Sequence, residues 1–176
     1  FCPGGINSPF GDVPQSYTGK EPTTMRAIRN LYDSYLQVFN RLEQYVLLGH
    51  SFDKVELIIM GGTFPSFDIE YQEEFVKYTF KAMNDFSNLF FKKNGEFDYL
   101  KFKEFFELPS IDFESKERTK KIHEKLLKLK ETCNLEEEQL KNETSKVRCV
   151  ALCIETKPDW GLLDHGNLML KLGCTR

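Results

Sequence analysis

The sequence predicts an α/β fold in which two parallel strands are separated by helices. The apolar runs Val55–Met60 and Val147–Ile154 are too short for stable helices and are bounded by charged, glycine or polar residues, which is typical of buried parallel strands. Residues 61–146, which separate the runs, exceed what a single crossover helix requires, so we expect a helical insertion. Right-handed crossovers place the carboxyl ends of both strands on one rim, where α/β sheets bind ligands.

The other elements follow from turn residues and helical spacing. Residues 1–22 are rich in Gly, Pro, Ser and Asn, which predicts an irregular loop. A helix is predicted from Met25 to a glycine cap at Gly49, with Thr23 and Thr24 available as N-caps. Helical spacing also predicts Ile69–Phe86, Phe97–Glu107, Ser115–Leu129, Leu135–Glu143 and Leu162–Leu172. In the first of these, the residues predicted to face inward are Tyr71, Phe75, Val76, Thr79, Phe80 and Met83, and Cys174–Arg176 leads toward a third strand.

Composition and charge narrow the class of protein. A net charge of −3 argues against a uniformly basic surface, but the protein could still have a local basic patch that binds nucleic acid. No apolar run approaches the ~20 residues that span a bilayer, and no secretory leader pattern is present, so we expect a cytoplasmic protein without membrane contact. Five cysteines, an odd number without a dense framework, fit reduced thiols. The chain starts without Met and stops as a new element begins, which predicts a segment of a longer protein.

Two motifs follow the predicted strands. Gly61–Gly62–Thr63 gives a backbone without Cβ atoms where a ligand could approach, although a Gly-Gly pair is also an ordinary tight turn. Glu155-Thr-Lys-Pro-Asp places a carboxylate and an ammonium at the end of the second strand, because Pro158 disfavours helix at the residue before it. Both motifs should face one cavity.

The cysteine and lysine patterns have simpler structural explanations. Cys149 and Cys153 should share a face of the second strand, ~13 Å apart at ~3.3 Å per residue, which is too far to share a metal, so both are predicted core residues. Cys2 has no companion at cluster spacing. The lysines of 116–130 are interrupted by glutamates and are more typical of a solvated helix face than of an RNA contact.

Several stretches together resemble the catalytic subunit of Elongator in its archaeal form. They occur in the order of that family along the whole chain: Cys2-Pro-Gly-Gly, Gln15-Ser-Tyr-Thr-Gly, Glu21-Pro-Thr-Thr-Met-Arg-Ala-Ile-Arg, Asp53-Lys-Val-Glu, Met60-Gly-Gly-Thr-Phe, Ile154-Glu-Thr-Lys-Pro-Asp and Gly173-Cys-Thr-Arg. The resemblance implies a radical S-adenosylmethionine enzyme that uses acetyl-CoA to install a carboxymethyl group at C5 of the wobble uridine (position 34) of tRNA. It also implies tRNA as partner and, in organisms that have them, other Elongator subunits.

The resemblance further implies the fold and the domain organisation. The chain would be a segment of a TIM-like (β/α) barrel of radical S-adenosylmethionine type, with a helical insertion between its two complete strands. Residues 1–176 would lack the two upstream cluster cysteines, the later barrel strands and a C-terminal acetyltransferase-like domain, so the segment alone should be inactive.

Residue roles carry over only where the motifs match. Cys2 matches the last cysteine that holds a [4Fe-4S] cluster. S-adenosylmethionine would be contacted by Gly61, Gly62, Thr63, Glu155 and Lys157, acetyl-CoA by Lys54, and the cavity would be lined by Gln15, Ser16 and Tyr17.

Two other functions fit the residues. A radical enzyme of the same kind could act on a small molecule, and dependence of turnover on tRNA would distinguish it. A non-catalytic RNA-binding or assembly module could retain the barrel without a cluster, and iron and sulfide analysis would identify it.

Overall fold

The computed structural model describes residues 9, 17–109 and 115–176. It contains α1 (Pro22–Arg29), α2 (Ser34–Leu48), β1 (Lys54–Ile59), a 3-10 helix (Phe64–Ser66), α3 (Ile69–Phe90), α4 (Tyr99–Phe105), α5 (Lys116–Leu129), α6 (Leu135–Asn142), β2 (Arg148–Ile154), a 3-10 helix (Pro158–Trp160) and α7 (Leu163–Lys171). The α/β class with a helical insertion between two strands is therefore confirmed. Within these ranges, no helix combines the length and the hydropathy needed to cross a bilayer.

The two strands pair in parallel, as the sequence predicts. Val55 faces Cys149, but Glu56 faces Ala151, so the register shifts by one residue and Val150 forms a bulge. On the other side of β2, the backbone of residues 174–176 begins to pair. Thr175 N donates to the carbonyl of residue 152 at 2.7 Å, and the amide of residue 154 donates to Arg176 O at 3.1 Å. The chain thus turns back alongside β2 where the third strand was predicted to begin.

The bulge corrects the prediction for the two strand cysteines. Cys149 pairs with Val55 and packs against the hydrophobic core, whereas Cys153 pairs with Ile58, which is 41% exposed. Because side chains alternate along a strand, the additional residue at Val150 turns Cys149 and Cys153 to opposite faces. The prediction that they share a face and are both core residues is therefore wrong.

Among the described residues, only one face of the sheet is covered. Ile59, Leu152 and Ile154 lie in the core beside α3, while Glu56 and Ile58 on the opposite face are exposed. The predicted burial of β1 therefore holds for one face among the residues that the structure describes, since their helices cover that face alone. The open face carries charge, which a fully buried strand would not tolerate without partners.

The predicted first helix is two helices. Leu31 and Tyr32 have positive φ angles of 55° and 58°, which ends α1, and the Asp33 carboxylate caps α2 by accepting from the Leu36 amide at 3.0 Å. Asn30 fixes the break, because its side chain donates to the carbonyl of residue 26 at 2.8 Å. The predicted C-cap is confirmed, with Gly49 at φ 71°.

Side-chain capping at the start of α1 was predicted incorrectly. The helix begins at Pro22 with Glu21 as the N-cap, and no side chain caps it, so Thr23 and Thr24 lie inside the helix. Proline suits the first helical position because its missing N–H would have no intrahelical partner there.

Phenylalanines form the centre of the insertion. The α3 residues Phe86 and Phe90 pack with Phe102 and Phe106 at centroid distances of 4.8 to 6.3 Å, and all four are fully buried. Tyr71, predicted to face inward on α3, is instead 44% exposed, because it lies in the first turn. This aromatic core lies at the end of α3 that packs near Phe52, which precedes β1, and it joins α4 to α3.

Candidate functional site

The structure brings the two strand tips together at one rim. Gly61–Gly62–Thr63 follows β1 and Glu155–Thr156–Lys157 follows β2, and the strands are parallel. The amide of Glu155 donates to the carbonyl of Ile59 at 3.0 Å, so the ladder continues to the last residue of β1, and only Met60 separates it from the glycines. The glycine turn and the Glu155 carboxylate therefore lie at the same edge of the sheet.

The glycine turn requires glycine for conformational reasons. Gly61 has φ +97° and Gly62 has φ +63°, and side chains make this region unfavourable. The turn is anchored from behind, where the Thr63 carbonyl accepts from the Ser66 amide at 2.8 Å and from its hydroxyl at 2.6 Å. A buried Phe64 fixes the start of the 3-10 helix to the core. The turn is thus held at a defined position.

The ring of Tyr17 occupies one side of this turn. A Cβ atom built on Gly61 would lie 3.1 Å from Cε2 of Tyr17, closer than ordinary van der Waals contact. At Gly62 the nearest atom among the described residues would be Cε2 of Phe67 at 4.0 Å, so none of these residues crowds that position. Burial, followed by the charges of Glu155 and Glu21, raises the pKa of Tyr17 above its ordinary value of 10.0. Tyr17, Gly61 and Glu155 therefore form one local cluster at the rim.

Glu21 orders the segment that carries Tyr17, and sequence reasoning did not single it out. Its carboxylate accepts from the amide of Thr18 at 3.0 Å, from the Thr18 hydroxyl at 2.9 Å and from the amide of Gly19 at 3.1 Å. These bonds, first of all the one from the Thr18 amide, lower the pKa of Glu21 to about 2. The spacing Thr18-x-x-Glu21 matches a capping box in sequence and could have indicated this contact, although Glu21 is here the N-cap of α1 and not its third helical residue.

The other predicted site residues are not all at the rim. Lys157 is exposed beside Glu155, but Lys54 lies exposed at the amino end of β1, roughly 20 Å from Gly61 at ~3.3 Å per residue. The structure therefore does not bring Lys54 to the glycine turn. Cys2, Gln15 and Ser16 lie outside the described residues.

A charged pair lies on the open face of the sheet. Arg176 forms an ion pair with Glu56 of β1, and both side chains are partly exposed. A hydrogen bond with Cys153, and then the charge of Glu56, raise the pKa of Arg176. Glu56 is the single charged residue within the predicted apolar run Val55–Met60. A single carboxylate in such a run was the signal that this face is not core.

The principal cavity beside β1 lies along its free edge and not at the rim. It has a volume of about 300 Å³ and is bounded by α1, α2, α3 and residues 55–60. Arg26 and Arg41 line it, and burial, followed by the charge of Arg41, lowers the pKa of Arg26. The Arg26 Nε atom is buried and has no hydrogen-bond partner within the described ranges.

Metal ligands are not clustered in the described part of the chain. Residues 17–109 and 115–176 contain no group of three or more His, Cys, Asp or Glu side chains that could hold a metal ion. Burial raises the pKa of Cys149, which makes it a poor thiolate ligand. A cluster would need cysteines from elsewhere, as the motif that contains Cys2 implies.

Fold and rim together define a segment of an α/β protein whose parallel strands present a glycine turn and a carboxylate at one edge. The chain is 45% identical over all 176 residues to the tRNA uridine(34) acetyltransferase of Methanocaldococcus infernus and 44% identical to that of Methanocaldococcus jannaschii. It is 38% identical over the same length to Elongator complex protein 3 of Saccharomyces cerevisiae. The chain spans about a quarter of the length of these relatives.

A solved structure agrees with the sequence comparison. Archaeal Elp3 of Methanocaldococcus infernus, with residues 1–46 deleted, matches with a TM-score of 0.58 and 39% identity over 85% of this chain and 25% of that one. No protein-family profile matches the chain. The resemblance stated from the motifs is confirmed, since the chain is homologous along its length to a segment of the Elongator complex protein 3 and tRNA uridine(34) acetyltransferase family.

Proposed function

We propose that the protein containing this chain modifies the wobble uridine (position 34) of tRNA and uses acetyl-CoA to form a carboxymethyl group at C5. The observation that carries the proposal is the unbroken similarity of all 176 residues to proteins named for uridine 34 of tRNA. The partners are then tRNA and acetyl-CoA, with other Elongator subunits in organisms that have them. The chain contributes part of a larger enzyme.

The chain forms part of a (β/α) barrel of radical S-adenosylmethionine type in this proposal. Two parallel strands in sequential order and the pairing of residues 174–176 with the second edge of β2 support this arrangement. In such a barrel the carboxyl ends of the strands form the active-site rim. Glu56 and Arg176, on the open face of the sheet, then lie on the inner wall.

The rim suits the adenosyl cofactor. Because no described residue crowds Gly62, backbone groups can approach a ligand there, while the Glu155 carboxylate can accept hydrogen bonds from ribose hydroxyls. Lys157 can pair with a carboxylate, and the Tyr17 ring shields the turn from water on the side of Gly61. Thr63 supplies a further hydroxyl at the rim. When bound, S-adenosylmethionine and a [4Fe-4S] cluster supply the radical that activates the acetyl group.

The remaining assignments extend beyond the described rim. Cys2 would be one ligand of the [4Fe-4S] cluster, with the other cysteines supplied by the rest of the protein, and Gln15 and Ser16 would line the same cavity as Tyr17. Lys54 would contact acetyl-CoA. Because Lys54 lies at the amino end of β1, that contact would be with a part of acetyl-CoA distant from the glycine turn.

The proposal is tested on the full-length protein, purified without oxygen and supplied with reductant, S-adenosylmethionine, acetyl-CoA and tRNA. We expect 5-carboxymethyluridine at position 34 in digested tRNA, detected by mass spectrometry, and 5′-deoxyadenosine as co-product. Loss of the product when acetyl-CoA is omitted is the control for its role. Formation of 5′-deoxyadenosine without modified tRNA would favour a small-molecule substrate, and absence of iron and sulfide would favour a non-catalytic module.

A further inference from the structure

The segment that carries Tyr17 is closed by a carboxylate from its own chain. Glu21 Oε1 accepts from the amide and the hydroxyl of Thr18, and its second oxygen, Oε2, accepts from the amides of Thr18 and Gly19 at 3.2 and 3.1 Å. One side chain thus satisfies donors on two consecutive residues. These hydrogen bonds fix the backbone at Thr18. They therefore also fix the direction of the side chain of Tyr17, the residue directly before it.

The position of Gly19 is fixed by the same carboxylate. Gly19 has φ +87°, a conformation that glycine adopts without strain, and this turns its amide toward Glu21. Pro22 follows and starts α1, which is packed against α2. The hydrogen-bonded loop formed by Thr18, Gly19 and Glu21, which we call the Glu21 clamp, is thereby attached to α1. Tyr17, at the other end of the clamp, extends toward the rim.

The contact of Tyr17 with the glycine turn depends on this direction. Three atoms of the ring, Cε2, Cδ2 and Cζ, lie 3.1, 3.7 and 3.7 Å from the position of a Cβ on Gly61. The ring therefore covers the side of Gly61 where a side chain would otherwise be. The absence of a side chain at Gly61 makes room for the Tyr17 ring. A ligand could then approach the backbone at Gly62, where no described atom is nearer than 4.0 Å.

We infer that Glu21 is a positioning residue, which holds the Tyr17 ring against Gly61 and within electrostatic reach of Glu155. The inference rests on the proposed function only in naming S-adenosylmethionine as the ligand of the rim. Glu21 itself contacts no ligand. Its effect on the site passes through Tyr17, whose ring lies against Gly61.

The test measures whether Glu155 still acts on Tyr17 when Glu21 is changed. Full-length protein carries 3-fluorotyrosine at position 17, and ¹⁹F NMR follows its titration in the parent, Glu21→Gln, Glu155→Gln and the double variant. In the parent, Glu155→Gln should lower the pKa of Tyr17, because the nearby negative charge opposes ionisation. In Glu21→Gln the amide nitrogen cannot accept from the Gly19 amide, so the ring is held less firmly and Glu155→Gln should then change the pKa less than in the parent.

A purely electrostatic effect of Glu21 on the pKa of Tyr17 would give a different result. If Glu21 acts only through its own charge, the effect of Glu155→Gln is the same in both backgrounds, and this additivity overturns the inference. Glu73→Gln is the matched control, because Glu73 is an exposed glutamate of α3 without a hydrogen bond or ion pair among the described contacts. This control variant should leave the coupling between Tyr17 and Glu155 unchanged.

A second variant and a binding measurement complete the experiment. Thr18→Val removes only the 2.9 Å hydroxyl bond and should reduce the coupling in the same direction as Glu21→Gln, also where the latter does not fold. Glu21→Gln should weaken S-adenosylmethionine binding about tenfold, the equivalent of one aromatic contact. Preserved coupling with Thr18→Val and Glu21→Gln would overturn the inference. Absence of tRNA modification would instead contradict the proposed function alone, since the titration requires no turnover.

Discussion

Replacing Gly61 by alanine should displace the ring of Tyr17 as well as strain the backbone. At φ +97° an alanine lies outside the favourable left-handed region, which costs roughly 1–3 kcal/mol. The new Cβ would also meet the ring at 3.1 Å, so the ring must move. Gly62→Ala, at φ +63° with no described atom nearer than 4.0 Å, should cost only about 1–2 kcal/mol. We therefore expect Gly61→Ala to be the more damaging change.

A third glycine variant controls for backbone strain, and hydrogen exchange measures the stability near β1. Gly49→Ala has the same kind of backbone cost at φ +71° and meets no atom within 4 Å, so it controls for strain at a distance from the rim. Native-state hydrogen exchange of the full-length protein, monitored on peptides that contain β1, reports local stability. The ¹⁹F signal of position 17 should shift in Gly61→Ala and stay constant in the other two variants. An unchanged signal in Gly61→Ala would refute the packing argument.

Three other changes test the rim and the helical insertion. Tyr17→Ala should weaken S-adenosylmethionine binding up to about tenfold by isothermal calorimetry, whereas Tyr17→Phe, which keeps the ring, should have a smaller effect. Glu43→Leu should cost about 1.5–3 kcal/mol in urea unfolding, because it removes the carboxylate that pairs with the Arg118 guanidinium at 2.5 Å while the Phe106 carbonyl still accepts from Arg118; a loss below 1 kcal/mol would mean that the pair is dispensable. Burial alone would raise the pKa of Glu138, but bonds from Lys141 and Asn84 outweigh it and hold the pKa below 4.5. The stability that Glu138 contributes is therefore present above pH 4.5 and lost as pH falls through its lower folded pKa, and Glu138→Gln should remove this part of the acid dependence of hydrogen exchange in α6.

The strands were predictable because their signals are local. β1 and β2 were placed within one residue at each end, since charge or glycine bounds each apolar run. The bulge at Val150 was not predictable, because nothing in the apolar run marks which residue lacks a partner. As a result the face of Cys153 was assigned incorrectly, although its strand was correct.

The break between α1 and α2 shows the limit of periodicity. Leu31 continues the apolar spacing, but it is 74% exposed and has positive φ, because the chain turns there. Contacts distant in sequence fix the turn. The Asn30 side-chain oxygen lies 3.1 Å from Nε2 of His123, and Asp33 forms an ion pair with Lys130 at 2.5 Å. Both partners come from the region of α5, which no local pattern near residue 30 could indicate.

The candidate site was predictable to the extent that topology determines it. The rule that parallel strands share a rim placed Gly61 and Glu155 together correctly. The contact between Tyr17 and Gly61 is a packing event between distant segments and leaves no local pattern. The Glu21 clamp did have a signal in Thr18-x-x-Glu21, but its carboxylate was treated as part of a family motif only.

The unpaired edge of β1 has a consequence for handling the segment in isolation. Within the described ranges β1 pairs only with β2, so the N–H and C=O groups along its other side are available to any passing strand. Beside them lie the exposed Ile58 and a cavity whose lining includes Val38, Leu57 and Phe75 as well as Arg26 and Arg41. A truncated protein with these boundaries should therefore self-associate as its concentration rises.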